Sequence, residues 1–368
     1  MRKIIYLILV LFVSINMAFA LEENIPVKFI YLNGSNTNTE DSMEDFVKGI
    51  NAVHPYIKAS LESSDFVLEH MLKNGKLYIE GKPETFFWGF ESLDDLNTMD
   101  ESLNIMSVIS PRLAQTVRSF ISHCMHDAIW VQKTYNMNKV LTDLHKSVLS
   151  AFQNGEKVVM LGYSAGSFVT YEYLVHKLPA IALNDEYSGV KNTCFDAITA
   201  SGLAIYSADG SFIKSTNENH IKNSLKNLNE YTKQYCAPEG TVLGVINYAS
   251  PLALFYSDMN NKSLEITNYN SYLFKYLKDN DVFLLTINFD EDPMGFPIAN
   301  NVNVNDVEKL INIKFSENGK GFFYTKSDVK SPATFIGAHL SYWNHPKKFA
   351  RMITDGYIEG YKNFYKIP

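Results

Sequence analysis

A five-residue turn bracketed by glycines interrupts an apolar run near the middle of the chain, and it constrains the fold more than any other feature. The run VVML, residues 158–161, is continuously apolar, as in a strand covered on both faces. It stops at GYSAG, residues 162–166, and apolar residues then recur at helical spacing over 168–178. This change of period predicts a strand, a sharp bend and a helix, with Ser164 at the bend.

The rest of the chain alternates strand and helix patterns. Apolar runs predict strands at 26–32, 85–90, 241–249 and 282–289. Helical patterns predict helices at 41–57 and within 119–153. Strands separated by helices indicate an α/β fold, with a mostly parallel sheet covered by helices on both faces.

The first twenty residues have the pattern of a secretory signal. Arg2 and Lys3 precede an apolar stretch at 4–13, and Ala-Phe-Ala at 18–20 fits a cleavage site. The stretch is short for a stable membrane span, although an uncleaved anchor is the alternative interpretation. We expect a signal peptide at 1–20, a mature chain that starts at Leu21, and a secreted or periplasmic protein.

Charge and ligand spacing restrict the partners. A formal net charge of -7 without a Lys/Arg cluster argues against a nucleic-acid partner, because phosphates require a basic face. HCMHD, residues 123–127, places at most two metal ligands on one helical face. The acidic run at 94–101 lacks the spacing of a calcium loop. We therefore expect no metal and no cofactor, and a neutral or apolar partner.

The three cysteines allow one disulfide, which export would permit. Cys194 and Cys236 bracket a polar segment between two predicted core elements, so we expect them to pair. Cys124 falls in an apolar helical pattern and is predicted to be a buried thiol, with an exchange of partners as the alternative.

Ser164 is a candidate nucleophile. Glycines two residues to either side permit a strained, close-packed turn, and the helix that follows would direct the Ala165 amide toward an oxyanion. A serine nucleophile needs a base and a group that orients the base. His339, in PATFIGAHLSYWNHP, is the candidate base. His345, the nearest rival, precedes a proline and lysines that are typical of a helix start.

The candidate acid follows the strand at 282–289. The loop DEDPMGFP offers Asp290 and Asp292, and the proline at 293 restricts the backbone of Asp292. A fixed turn suits a carboxylate that orients a histidine. We therefore prefer Asp292 and keep Asp290 as the alternative.

Five segments together resemble the α/β-hydrolase superfamily, in its lipase and esterase branch. They stand where that family has its oxyanion loop, nucleophile turn, next strand, acid loop and histidine loop: FIYLNGSN, VVMLGYSAGS, GVINYASPL, DEDPMGFP and GAHLSYW. The resemblance implies Ser164 as nucleophile, His339 as base and Asp292 as orienting acid. It also implies oxyanion amides from Ala165 and from the loop that contains Gly34 and Ser35.

The chain departs from the family pattern at several places. Asn33 stands where many relatives have histidine, and no strand pattern lies between Leu21 and 25, so the expected sheet is shortened. Tyr163 replaces a commoner histidine and is expected to point away from the line of attack. Two polar segments, about 63–111 and 184–239, match nothing in the family, and neither has the apolar periodicity of a separate core. We expect both to be insertions in one domain, 21–368, that form a cap above Ser164.

The resemblance implies an exported esterase or lipase that transfers an acyl group to Ser164 and then to water. Its substrate would be a small-molecule or lipid ester, and a lipid would bring transient contact with a membrane surface. An acyltransferase with the same triad and a catalytically silent binding protein are the alternatives. The sequence indicates neither the acyl-chain length nor the oligomeric state.

Overall fold

A computed structural model describes residues 24–35, 37, 39–88, 127, 130–131, 134–180, 193–206, 212–214, 217–252, 268–295, 304–305, 308, 314, 316–331 and 336–368. The strands are β1 Ile25–Leu32, β2 Leu77–Ile79, β3 Glu84–Phe86, β4 Lys157–Tyr163, β5 Ala204–Tyr206, β6 Phe212–Lys214, β7 Val242–Tyr248, β8 Phe283–Phe289 and β9 Phe322–Val329. The helices are α1 Glu40–Glu62, α2 Asp65–His70, α3 Thr134–Gln153, α4 Gly166–Lys177, α5 Phe195–Ser201, α6 Glu218–Tyr235, α7 Asn268–Asp279, α8 Ile336–His339 and α9 Pro346–Tyr365.

Within the described residues, seven strands form one sheet in the order β2, β1, β4, β7, β8 and β9, with β3 also paired to β1. Every pairing in this sheet is parallel. β5 and β6 form a separate antiparallel pair. β4 and β8 are buried along almost their whole length, which explains their continuous apolar sequences. The predicted α/β class and parallel sheet are confirmed.

Helices cover both faces of the sheet. Gly162 at the end of β4 faces α4, since an added Cβ would lie 2.9 Å from the Cα of Ser167. The next residue, Tyr163, faces the opposite side, where its ring stacks on Tyr248 and Tyr248 contacts Phe349 of α9. α1 packs against α9 on that second face. Ser164 directly follows this strand, at an end of the sheet that helices cover on both faces.

Glycine allows α9 to approach the sheet closely. An added Cβ on Gly360 would lie 2.7 Å from the Cβ of Tyr324 in β9. A glycine inside a helix costs about 1 kcal/mol relative to alanine. Close packing on β9 offsets that cost, and it fixes the strand that leads to the loop of His339.

The described part of the first predicted insertion contributes two strands to the edge of the sheet. β2 pairs with Ile25–Val27 of β1, and β3 pairs with Ile30–Leu32. β3 overlaps the strand predicted at 85–90, whereas β2, with three residues, is too short to produce a periodic signal in the sequence. Both strands lie on the outer side of β1. Residues 89–111 lie outside the described residues.

The second predicted insertion has a small core of its own, contrary to expectation. Its buried residues are Cys194, Phe195, Ala197, Ile198, Leu203, Leu228 and Cys236. These side chains come from α5, α6 and their flanks, which are separated by a polar stretch of the sequence. Spacing alone therefore did not reveal that they share one cluster.

This segment is attached at the end of α4 that is remote from Ser164. The carboxylate of Asp196 in α5 lies 2.8 Å from the Nδ1 of His176 and 2.6 Å from the Nζ of Lys177, and it pairs with both side chains. The amide of Ala237 donates to the Lys177 carbonyl at 2.7 Å. α4 starts beside Ser164, so its last turn lies about 17 Å away at 1.5 Å per residue. These contacts attach the described part of the segment to the far end of α4, and the expected cap over Ser164 stays a prediction.

The structure joins Cys194 to Cys236 through a disulfide, the pair that we expected, across 42 residues of sequence. Cys124 and the predicted signal peptide at 1–20 lie outside the described residues. None of the helices in the described part of the chain has the length and apolar character that a membrane crossing requires.

Removal of this disulfide is expected to lower the free energy of unfolding by about 2–4 kcal/mol, because the link restricts the unfolded chain. The double variant Cys194→Ala/Cys236→Ala tests this in a thermal or denaturant unfolding experiment. The folded variant should keep the geometry around Ser164, since the link lies at the far end of α4. Equal stability of the two proteins would contradict the prediction.

Candidate active site

Ser164 lies on a strained turn between β4 and α4. Its φ of 49° is in the left-handed region, which residues other than glycine rarely adopt. The flanking glycines leave no room for a side chain. An added Cβ would lie 2.6 Å from the Asn247 Oδ1 at Gly162 and 2.5 Å from the Asn33 carbonyl oxygen at Gly166. The amide of Ser164 donates to the carbonyl of Tyr248 at 3.0 Å. The turn therefore holds the serine in one place.

A hydrogen-bonded chain connects Ser164, His339 and Asp292. The Nε2 of His339 lies 3.0 Å from the Ser164 Oγ. The Nδ1 of His339 lies 2.9 Å from the Asp292 Oδ1. A carboxylate accepts, so Nδ1 carries the proton and Nε2 is free to accept the proton of the serine. This is the tautomer that a general base requires.

The parallel sheet brings the three residues to one edge. Ser164 directly follows β4, Asp292 follows β8, and His339 is in α8, which comes after β9. The carboxyl ends of parallel strands meet at the same edge, where α/β proteins place their sites. Residues 175 and 47 positions apart in sequence can therefore touch.

The structure pairs Asp292, not Asp290, with His339. The side chain of Asp292 is completely buried, whereas Asp290 is exposed in the turn after β8. The Oδ1 of Asp292 also accepts from the amide of Met294 at 2.9 Å. Its Oδ2 accepts from the hydroxyl of Tyr342 at 3.0 Å. These hydrogen bonds offset the free-energy cost of removing the Asp292 carboxylate from water.

Tyr342 is a site residue that sequence reasoning missed. Its hydroxyl donates to Asp292 and accepts from the amide of Phe289 at 2.8 Å, and the residue is fully buried. Burial, reinforced by the Asp292 charge, raises the pKa of Tyr342 well above its ordinary value. The hydroxyl therefore keeps its proton and remains a donor. Its position three residues after His339 carried no recognisable signal.

The variant Tyr342→Phe is expected to lower kcat about tenfold at unchanged KM and to cost about 1–3 kcal/mol of stability, because it leaves a buried carboxylate oxygen without a donor. Steady-state ester hydrolysis and thermal unfolding measure both effects. Tyr357→Phe, at a buried tyrosine of α9 that packs on Phe283, is the matched control. A kcat equal to that of the control would show that Tyr342 does not support the acid.

Tyr163 holds the histidine loop. Its side chain lies on the face of the sheet opposite to α4, and its hydroxyl donates to the backbone carbonyl of His339 at 3.0 Å. Its ring lies 5.4 Å from the imidazole, centroid to centroid. We expected this side chain merely to point away from the attack line. In the structure it holds the backbone of His339 against the end of β4.

The predicted oxyanion residues lie beside the nucleophile. Ala165 is the first residue of the turn into α4, where backbone N–H groups have no partner within the helix. Gly34 is pressed against the serine, since an added Cβ would lie 3.0 Å from the Ser164 Cβ. Ser35 follows in a turn and is half-buried. Two backbone segments therefore meet at the position where a carbonyl oxygen would develop negative charge.

The rival histidine is placed as the sequence predicted. His345 is exposed and precedes Pro346, the first residue of α9, so it lies at a helix start in solvent. Among the nine histidines of the chain, the structure brings His339 to the serine.

No protein-family model matches this chain, and a search of curated protein sequences also found no match. The chemistry of the site is therefore argued from its geometry. A serine hydroxyl, an imidazole in the accepting tautomer, a buried carboxylate and nearby backbone amides are the groups that acyl transfer requires.

Proposed function

We propose that this protein is an exported serine hydrolase of the α/β-hydrolase superfamily that cleaves a carboxylic ester through an acyl intermediate on Ser164. The observation that carries the proposal is the continuous chain from the Ser164 Oγ through His339 to Asp292. A pure binding protein has no need for this arrangement on a strained turn. The four family-like segments from the nucleophile turn onward stand in the order of the family, which adds support.

In the first step, the Ser164 Oγ attacks the carbonyl carbon of the ester, and its proton passes to the Nε2 of His339. Asp292 stabilises the imidazolium through the hydrogen bond to Nδ1. The carbonyl oxygen becomes an oxyanion, which the Ala165 amide and the Gly34 loop would stabilise. When the carbon–oxygen bond of the ester breaks, the alcohol leaves with the proton from Nε2.

In the second step, water attacks the acyl carbon, and His339 takes one of its protons. The tetrahedral intermediate then collapses, the bond to the Ser164 Oγ breaks, and the serine regains the proton from Nε2. The carboxylic acid leaves, and the site returns to its initial state. An alcohol or amine in place of water would make the same site an acyltransferase.

The first experiment is labelling with a fluorophosphonate, which forms a phosphorus–oxygen bond to an activated serine and releases fluoride. Peptide mapping should find the label on Ser164, and a series of p-nitrophenyl esters should then show turnover with a preferred chain length. Product analysis with an added alcohol separates hydrolysis from transfer. Absence of both labelling and turnover in the folded protein would favour a silent binding protein.

Export is the part of the proposal that rests on the pattern in residues 1–20 and on the Cys194–Cys236 link. Disulfides persist in oxidising compartments outside the cytosol. N-terminal sequencing of the exported protein should give Leu21 as the first residue. A protein retained in the membrane with residues 1–20 attached would refute this part.

A further inference from the structure

Asn33, at the end of β1, is fixed on every side by hydrogen bonds. Its amide donates to the Phe86 carbonyl at 3.4 Å, and its carbonyl accepts from the indole Nε1 of Trp88 at 2.7 Å. Its side-chain Oδ1 accepts from the backbone amide of Trp88 at 3.0 Å. Its side-chain Nδ2 donates to the carbonyl of Gly34 at 2.8 Å. Asn33 and Trp88 are 0% and 1% exposed, so water does not compete for these bonds.

The bond from Asn33 to the Gly34 carbonyl determines the direction of the next amide. The described peptide bonds are all trans, so the C=O of Gly34 and the N–H of Ser35 point in opposite directions. The asparagine side chain holds the carbonyl on its own side, which directs the Ser35 N–H away from Asn33. Gly34 itself lies against the Cβ of Ser164. The orientation of this one peptide decides whether an N–H or a C=O is presented next to the nucleophile.

Glycine makes this peptide easy to flip. This peptide turns over by rotation about ψ of Gly34 and φ of Ser35, and without a Cβ Gly34 tolerates values of ψ that other residues exclude, so the chain alone does not fix the peptide. A flip would replace a donor by an acceptor where an oxyanion forms, and would turn stabilisation into repulsion. Some other group must therefore hold the peptide in place.

We propose that Asn33 and Trp88 form a clamp that keeps the Gly34–Ser35 peptide in the orientation that stabilises the oxyanion; this inference rests on the proposed acyl-transfer function. Trp88 holds Asn33 from two sides through its indole and its backbone amide. Asn33 in turn holds the Gly34 carbonyl. Neither residue touches the reacting atoms, so both are positioning residues.

The pairing of β3 with β1 places the two residues of the clamp side by side. Pairing of Glu84–Phe86 with Ile30–Leu32 brings the chain parallel to β1 as far as Leu32. Trp88, two residues beyond β3, is thereby placed beside Asn33, one residue beyond β1. Asn33 stands where many relatives have histidine. In this chain its side-chain amide oxygen accepts a hydrogen bond from the backbone amide of Trp88.

The test compares two ketone inhibitors with the same acyl chain. That chain is the one of the p-nitrophenyl ester with the highest turnover. A trifluoromethyl ketone forms a bond between its carbonyl carbon and the Ser164 Oγ and leaves an oxyanion, whereas the plain methyl ketone binds without a stable adduct. The variants are Trp88→Phe, which removes the indole donor, and Asn33→Ala, which removes both side-chain bonds. Trp130→Phe, at another buried tryptophan, is the control for the lost ring volume. No hydrogen bond between described residues joins Trp130 to residues 33–35.

If the clamp orients the oxyanion peptide, kcat/KM and the affinity for the trifluoromethyl ketone should fall in parallel. We expect a fall of about tenfold in Trp88→Phe and about 100-fold in Asn33→Ala, because the loss of one oxyanion donor costs about 10²–10³ in kcat. Methyl ketone affinity and KM should stay within about twofold, because both report ground-state binding. A structural role alone would weaken both ketones equally or neither.

Trifluoromethyl ketone affinity in both variants equal to that of Trp130→Phe would overturn the clamp while the esterase assignment stands. An unmodified protein that neither binds the trifluoromethyl ketone nor reacts with a fluorophosphonate would instead overturn the proposed function. Thermal unfolding identifies a variant that fails to fold, and the other variant then carries the test.

Discussion

Ser164→Ala is expected to lower kcat for the preferred p-nitrophenyl ester by about 10⁶, with KM little changed, because the nucleophile of a serine triad supplies the covalent step. Alanine keeps the Cβ that packs against Gly34, and it accepts the left-handed backbone at a cost similar to that of serine. The protein should therefore fold normally and bind the ester, but it should not form the acyl intermediate. Stopped-flow detection of the p-nitrophenol burst and steady-state rates measure the loss.

Ser167→Ala is the matched control for this variant. Ser167 is also a buried serine in the same segment, and its hydroxyl donates to the Ser164 carbonyl at 2.6 Å and accepts from Ser250 at 2.9 Å. It should lose some stability but keep kcat within about tenfold, since its hydroxyl is engaged with the backbone and has no base beside it. More than about 1% residual activity in Ser164→Ala, with a burst, would show that another residue is the nucleophile.

The sequence predicted the centre of the sheet because that centre obeys simple local rules. β4, β7 and β8 are buried on both faces, and a continuous apolar run is the signature of such strands. The turn at Ser164 was recognisable because only small residues fit at 162 and 166, where an added Cβ would overlap neighbouring atoms. Burial and close packing restrict which residue type fits at each position, so they leave a local pattern in the sequence.

Parts of the sheet's edges escaped prediction for physical reasons. β2 has three residues, and its place depends on pairing with β1 and not on a periodic pattern, whereas β3 overlaps the strand predicted at 85–90. β9 was missed because it contains Lys326, a charged residue that argues against a covered strand. The structure buries Lys326 and pairs it with Glu359 of α9 at 2.7 Å, a partner that lies 33 residues further along the chain. A buried lysine whose partner is distant in sequence hid this strand from a hydrophobicity argument.

The same distinction separates the triad from the residues that support it. Ser164, His339 and Asp292 could be found because each follows a strand or a recognisable loop, in an order that a known family shares. Tyr163 and Trp88 act through hydrogen bonds to partners 176 and 55 positions away, and such pairs leave no spacing to detect. The three residues of the candidate site were therefore predictable from motifs, whereas the contacts that hold them in place had to be read from the three-dimensional structure.

Asp292→Asn is expected to lower kcat by about 10⁴ with KM little changed, as loss of the orienting acid does in serine proteases. The asparagine would fit the space, but it can direct an NH₂ group at the Nδ1 of His339, which then becomes an acceptor. The imidazole proton moves to Nε2, and Nε2 can no longer take the proton from Ser164. The imidazolium that forms during attack also loses its negative partner, so the loss appears in the transition state and not in substrate binding.

Asp290→Asn separates this effect from a general loss of acidity in the loop, because it removes one negative charge two residues away without touching the imidazole. Asp290 is exposed, and solvent screens its charge, so kcat should change by less than about twofold. Steady-state kinetics of the two variants on one ester decide the assignment. The assignment would be contradicted by a large loss of kcat in Asp290→Asn together with a nearly normal kcat in Asp292→Asn. The contact between Asp292 and His339 at 2.9 Å would then not be the one used in catalysis, and the loop would have to rearrange when substrate binds. Ser164 and His339 would keep their roles in that case, since their mutual contact does not depend on which carboxylate orients the imidazole.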